Sequence, residues 1–189
     1  MSTARESDLS GHDPAGGVAR PPIAIDGRAL GSRGARTRRR LLEATAELLE
    51  THGIRDLRVV DIARHVETSP ATFYQYFRDV EDAVLALAGE VGESTAPLIA
   101  VLAGSWDADG ALDSARSLVQ GFVDFWDVNR AVLRTRNLAA QEGDQRFRDV
   151  RNRALEPFTE GLAEHVRVAQ LAGRVPAELS PAAAGAALV

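Results

Sequence analysis

The sequence predicts an all-α protein, with a three-helix helix-turn-helix domain over residues 35–79 and a helical domain over residues 80–189. Three observations carry this. Apolar residues recur three and four apart in segment after segment, the period of one helix face. Within Leu57–Phe77, LRVVDIARHVETSPATFYQYF, Glu67-Thr68-Ser69 breaks that period once and leaves two short helices joined by a tight turn. Capping residues, Gly and Pro punctuate the rest of the chain at helix-length intervals.

Residues 1–34 scatter Gly, Pro, Ser and Asp without apolar period and are expected to form a disordered basic arm. From Arg20 to Arg40 there are seven Arg against one acid, Asp26. Taken alone, such a cluster reads as a solvated tail. Beside a helix-turn-helix it suits phosphate binding, with Arg33, Arg36, Arg38 and Arg39 as the candidate contacts. The first helix is expected over Ala35–His52, its stripe formed by Leu41, Leu42, Thr45, Leu48 and Leu49, with Gly53 in the position of a C-terminal cap.

Val59, Ile62, Ala63 and Val66 form one stripe of the second helix. Ser69 as N-cap with Pro70 at the first helical position is a strong start for the third. Phe73 and Phe77, four apart, would pack with Ile62 and Val66 on the first helix, because helices this short cannot bury a core of their own. The outward side would carry the turn residues Thr68, Ser69 and Pro70, then Ala71, Thr72, Gln75 and Tyr76. A small residue allows close approach to a duplex, a Thr methyl can touch a thymine methyl, and Gln can pair with adenine through two hydrogen bonds. The hydroxyls of Tyr74 and Tyr76 can reach phosphate oxygens. The competing reading is a helical hairpin whose Tyr and Phe are all core.

Asp79 is placed to cap a fourth helix over Val80–Val101, with Val84, Leu85, Leu87, Ala88 and Val91 as its apolar positions and Pro97 expected to bend or interrupt it. Gly104–Gly110 is a loop containing Trp106. A fifth helix over Ala111–Val128 carries Leu118, Phe122, Phe125 and Trp126, and Asn129 is expected to cap a sixth over Arg130–Gln141. After the turn Glu142-Gly143-Asp144, a seventh over Gln145–Ala172 contains Pro157 and presents Phe147, Val150, Leu155, Phe158, Leu162, His165 and Val166 inward. Ser180-Pro181 opens an eighth, PAAAGAALV, so the helical domain reads as truncated in its last helices. The aromatic cluster fits either plain core or an apolar pocket between helices; Trp106, Phe122, Phe125, Trp126, Phe147 and Phe158 would line the pocket, and Asn129, Arg134 and Asn137 would orient a ligand head group.

The chain has 189 residues, no Cys and no Lys, which excludes disulfides and thiolate metal sites. Its net charge of −5 is unevenly placed: residues 1–80 hold 12 Arg against 11 acids, and residues 81–189 hold 10 Arg against 16 acids. Positive potential therefore concentrates on the helix-turn-helix side. No uninterrupted apolar run reaches bilayer length and no signal-peptide start is visible, so the expectation is a cytoplasmic protein with no membrane partner. His12, His52, His65 and His165 lack metal-ligand spacing, Asp107 and Asp109 lack the further ligands of a calcium site, and there is no Gly-rich phosphate loop or G-x-S-x-G. No catalytic residue, metal or cofactor is expected.

From Thr37 to about Leu87 the chain resembles the DNA-binding domain of the TetR family of one-component repressors. The matching residues are LLEATAELLETHG, then Val60-Asp61-Ile62-Ala63, then the run Ser69-Pro70-Ala71-Thr72-Phe73-Tyr74-Gln75-Tyr76-Phe77. The resemblance implies a helical homodimer that binds a palindromic double-stranded DNA operator. It further implies release of the operator when a small apolar or amphipathic molecule binds the C-terminal ligand-binding and dimerisation domain. The family typically adds two more helices that make a four-helix dimer interface, and its fourth helix links the two domains. Two residues depart from the family pattern: Glu67 stands where Gly is usual in the turn, and Val80 where a phosphate-contacting Lys is usual, a role that falls here to Arg78. An all-helical interaction protein of the same fold without specific DNA binding is the alternative these departures raise.

Overall fold

The computed structural model describes residues 24–25, 27–104, 106 and 110–188. They form eight helices: α1 Ser32–Leu49, α2 Val59–His65, α3 Pro70–Phe73, α4 Val80–Glu93, α5 Ala96–Leu102, α6 Ala111–Gln141, α7 Gln145–Leu171 and α8 Pro181–Ala187. The chain is all-α with an N-terminal helix-turn-helix domain and a helical C-terminal domain. Most of the expected arm, residues 1–23, lies outside the described residues. Its last part differs from expectation, because α1 begins at Ser32 and already contains Arg33.

Helix ends follow local chemistry. Ser69 caps α3 by accepting the Thr72 amide at 3.2 Å, with Pro70 at the first position. Asp79 caps α4 through the Asp82 amide at 2.7 Å. Ser180 caps α8 through the Ala183 amide at 3.3 Å. Gly53 does not close α1. The last turn is tied off earlier, where the Thr51 and His52 amides donate to the Leu48 carbonyl at 3.2 and 2.9 Å. Pro97 interrupts the expected fourth helix rather than bending it: α4 ends before Ser94-Thr95, and α5 restarts with Pro97 in its first turn, where a missing amide costs least. The expected fifth and sixth helices are one, α6. Asn129 does not cap; its amide nitrogen donates to the Phe125 carbonyl one turn back at 2.9 Å, and with no Gly or Pro beside it the helix runs on.

One buried cluster unites the helix-turn-helix with the elements behind it. It contains Leu41, Leu42 and Leu49 of α1, Ile62 of α2, Phe73, Phe77, then Val84, Leu87 and Val91 of α4, Val132 and Leu133 of α6, and Phe147 and Val150 of α7. A second, smaller cluster joins Leu102 of α5, Leu118 of α6 and Phe158 of α7. The stretch Val80–Leu102 is long and apolar enough in mean composition to cross a membrane, although Glu81, Asp82, Glu90 and Glu93 interrupt its apolar residues. It is two helices broken at Ser94-Thr95, and Ala83, Val84, Leu87, Ala88 and Val91 are buried in the first cluster. Helix α8 seats on α7 at Gly185, where a Cβ would lie 2.4 Å from the Thr159 carbonyl oxygen. His165 is a structural residue as expected, with Nε2 2.6 Å from the Leu102 carbonyl oxygen and its ring over Trp106.

The turn between α2 and α3 is a Schellman motif. The Thr68 amide donates to the Ala63 carbonyl at 2.8 Å and the Glu67 amide to the Arg64 carbonyl at 3.1 Å. Such a motif needs a left-handed residue after the cap, and Glu67 has φ +55°, the one non-Gly residue with positive φ among those described. A left-handed L-residue costs roughly 1–2 kcal/mol, against roughly 0.5–1 kcal/mol for the greater flexibility of Gly in the unfolded chain. Glu67→Gly is therefore expected to stabilise the protein by roughly 0.5–1 kcal/mol and to raise Tm by a few degrees. Thermal or urea unfolding checks this; an unchanged or lower Tm would mean that the glutamate side chain offsets the strain.

Candidate nucleic-acid interface and internal cavity

The core under α2 and α3 fixes what the recognition turn presents outward. Phe73 and Phe77 are buried with ring centroids 5.4 Å apart. That leaves Ser69, Pro70, Ala71, Tyr74 and Gln75 exposed in one strip, Tyr74 to 51%, with Thr68 and Thr72 half-buried beside it. The Thr72 hydroxyl is engaged with the Ser69 hydroxyl at 3.1 Å. Tyr76 differs from its expected place on the outer side. It is half-buried against the core, and its hydroxyl lies next to Gly34 in the first turn of α1. Residues 24 and 25 come back across this turn, where the Ile25 amide donates to the Gln75 carbonyl at 3.3 Å.

The arginines divide into two groups. Arg33 and Arg36 are exposed on the first two turns of α1 with no ion-pair partner among the described residues, and Arg39 is exposed with an i,i+4 partner, Glu43, at 3.0 Å. Exposed pairs of this kind hold weakly and can exchange for a phosphate. Arg38 is not available in the way expected from its neighbours. Its guanidinium lies 5.4 Å from the centroid of the Phe77 ring and bonds Glu90 of α4 at 2.6 Å, which makes it a bracket between α1, the recognition turn and α4. Arg40 is likewise engaged, donating to the Val66 carbonyl at 2.8 Å at the end of α2. Arg78 pairs with Asp82 at 2.9 Å. Burial alone would raise the Asp82 carboxyl, but hydrogen bonds from the Arg78 side chain and amide outweigh it and hold the group below the usual carboxylate range.

The helical domain holds a half-open cavity of about 970 Å³ between α4, α6 and α7. Of the residues expected at a ligand site, Trp106, Phe122, Phe125, Trp126, Asn137 and Phe158 line it. Three do not. Phe147 is buried in the other cluster, Arg134 is exposed, and Asn129 is turned to its own helix backbone. Arg136 and Arg151 line the cavity and were not singled out by the sequence reading. The signal was present: in one continuous helix, Phe122, Trp126, Leu133, Arg136 and Asn137 share a face, and the supposed break at Asn129 hides this. Burial, and secondarily Arg151, pulls the Arg136 guanidinium down to about 10.

Comparison with known proteins agrees with this geometry. Residues 41–87 match the model of bacterial regulatory proteins of the tetR family, and residues 99–189 match that of the tetracyclin repressor-like C-terminal domain. An uncharacterized HTH-type transcriptional regulator of Haemophilus influenzae is 26% identical over 132 residues; the chain spans 63% of that protein's length, through 69% of its own. Among solved structures, the fatty acid degradation regulator FadR of Bacillus halodurans is similar with TM-score 0.61 and 18% identity, over 85% of this chain and 80% of that one. FadR of Thermus thermophilus, a transcriptional repressor solved in complex with lauroyl-CoA, is similar with TM-score 0.51 and 21% identity, over 80% and 76%. With a helix-turn-helix cored by Phe73 and Phe77, a helical domain behind it and both halves matched to the same family, this chain belongs to the TetR family of transcriptional regulators.

Proposed function

We propose that the protein is a DNA-binding transcriptional repressor that acts as a homodimer in the cytoplasm and leaves a palindromic operator when a small, mainly apolar or amphipathic molecule enters the cavity of its helical domain. The observation that carries the DNA-binding half is the exposed strip Ala71, Tyr74 and Gln75, held on a rigid core with Arg33 and Arg36 unpaired nearby. In this reading Gln75 reads a base edge, Ala71 permits close approach, Tyr74 touches phosphate, and Thr68, Ser69, Pro70 and Thr72 fix the entry of α3 into the major groove. Arg39 adds phosphate contacts, and Arg78 does so where a phosphate displaces Asp82. The cavity, apolar over most of its lining, supports the ligand half. The lauroyl-CoA seen in the Thermus thermophilus relative is an amphiphile of the same general class. Apolar residues left exposed on and after α7, among them Val168, Leu171 and Leu188, offer a surface for the second copy.

A second reading, an interaction protein that has lost specific DNA binding, is favoured by Glu67 in the turn, Val80 in place of a lysine, and Arg38 and Arg78 engaged within the chain. Binding to duplex DNA across a salt series separates the two, since phosphate contacts make log affinity fall linearly with log salt. Arg33→Ala and Arg36→Ala are each expected to flatten that slope by about one unit. A flat slope in the unaltered protein favours the second reading.

Base reading is tested separately. With duplexes selected from a random pool, Gln75→Ala is expected to relax preference at one base pair by roughly 1–3 kcal/mol of discrimination, while Tyr74→Phe weakens binding to all sequences alike. An unchanged selected sequence after Gln75→Ala removes that residue from base recognition.

A further inference from the structure

Resting on the ligand-cavity reading above, we infer that the ligand carries an oxyanion head group, a carboxylate or a phosphate, bound by Arg136 at the polar end of the cavity while its apolar tail lies among Phe122, Phe158 and Trp106. Arg136 is only 6% exposed. Its Nε and Nη2 donate to the Asn137 side-chain oxygen at 3.1 and 3.0 Å, and no carboxylate pairs with it among the described residues. Its third nitrogen, Nη1, makes no hydrogen bond; since no fully buried side-chain nitrogen or oxygen among the described residues lacks a partner, Nη1 keeps some access to solvent, and Arg136 lines the cavity. Arg151, half-buried, lies near enough to repel it, and Asn152 and Gln141 also line the cavity.

Charge distribution points the same way. The described lining contains two arginines and no acid, although residues 81–189 hold 16 acids against 10 Arg. A buried guanidinium without a counter-charge destabilises a fold, and its neighbour Arg151 adds to that cost. Asn137 orients the planar group without neutralising it. What completes the site is a planar or tetrahedral oxyanion, which accepts charge-assisted hydrogen bonds from the open Nη1 edge.

Calorimetric titration of the full chain with dodecanoate and with dodecanol, both below their aggregation limits, tests this. The two probes share a tail and differ in the head. Dodecanoate is expected to bind about tenfold tighter or more, the range of a charge-assisted hydrogen bond. Arg136→Met, similar in reach and apolar, is expected to abolish that preference and to raise the unliganded melting temperature, while Arg136→Lys retains part of the preference. Dodecyl phosphate serves as the second anionic arm; tighter binding of either anion supports the proposal and identifies the head group. Binding of dodecanol as tight as that of both anions, or an anion preference that survives in Arg136→Met, overturns the proposal and leaves the cavity reading standing. Binding of none of the three probes overturns both.

Discussion

Arg38 bridges the helix-turn-helix and α4 above the buried cluster that unites them. Its guanidinium lies against the Phe77 ring at the end of the recognition turn and bonds the Glu90 carboxylate on α4. Neither α2, at seven residues, nor α3, at four, could persist alone. They persist because Phe73 and Phe77 enter a core that α1, α4 and α6 also supply. The exposed strip of the recognition turn is thus set by residues on the opposite side of the core, and a displacement of α4 must displace it. A second tie, Arg146 to Glu81 at 2.8 Å, joins the start of α7 to the start of α4. Asp144 and Glu81 raise the Arg146 guanidinium further above its already high range, so both contacts favour its charged form.

The two chemically informative regions depart from what stability alone would choose. Glu67 occupies a left-handed position, and Arg136 places an uncompensated cation beside apolar rings. The first restricts the turn that aims Ala71 and Gln75. The second leaves one guanidinium nitrogen without a hydrogen bond in a domain with acids to spare elsewhere.

The helix-turn-helix was legible in the sequence because its determinants are local. Ser69-Pro70, Asp79 and the Phe73–Phe77 pair each act within a turn or two of themselves, and each stands in the structure as the residue types dictate. The departure at Glu67 was legible too, since only backbone angle separates Gly from other residues there. What escaped was longer in range. Asn129 looks like a cap, but nothing next to it breaks a helix, and reading it as a break removed Arg136 from the face it shares with Phe122. Arg38 and Arg39 are adjacent and alike in sequence; only the approach of Glu90, 52 positions on, makes one a bracket and leaves the other at the surface. Phe147 belongs to the inner face of α7 as its period requires, yet which of two clusters it enters depends on how α7 crosses α4.

Leu133 lines the cavity and also belongs to the core beneath the helix-turn-helix. Gly92, in the last turn of α4, lies at the cavity wall against Ala154 of α7. A ligand that favours one placement of α4 over another will therefore bias the recognition turn, whereas one indifferent to that placement shifts nothing. The most direct measurement is the affinity of the full chain for a selected duplex with and without saturating dodecanoate. A drop of roughly 5–150-fold, matched by an equal loss of dodecanoate affinity when the duplex is bound, is the expected coupling. Affinities for the duplex that coincide, with dodecanoate demonstrably bound, would contradict it and leave cavity and recognition turn as independent features of one core.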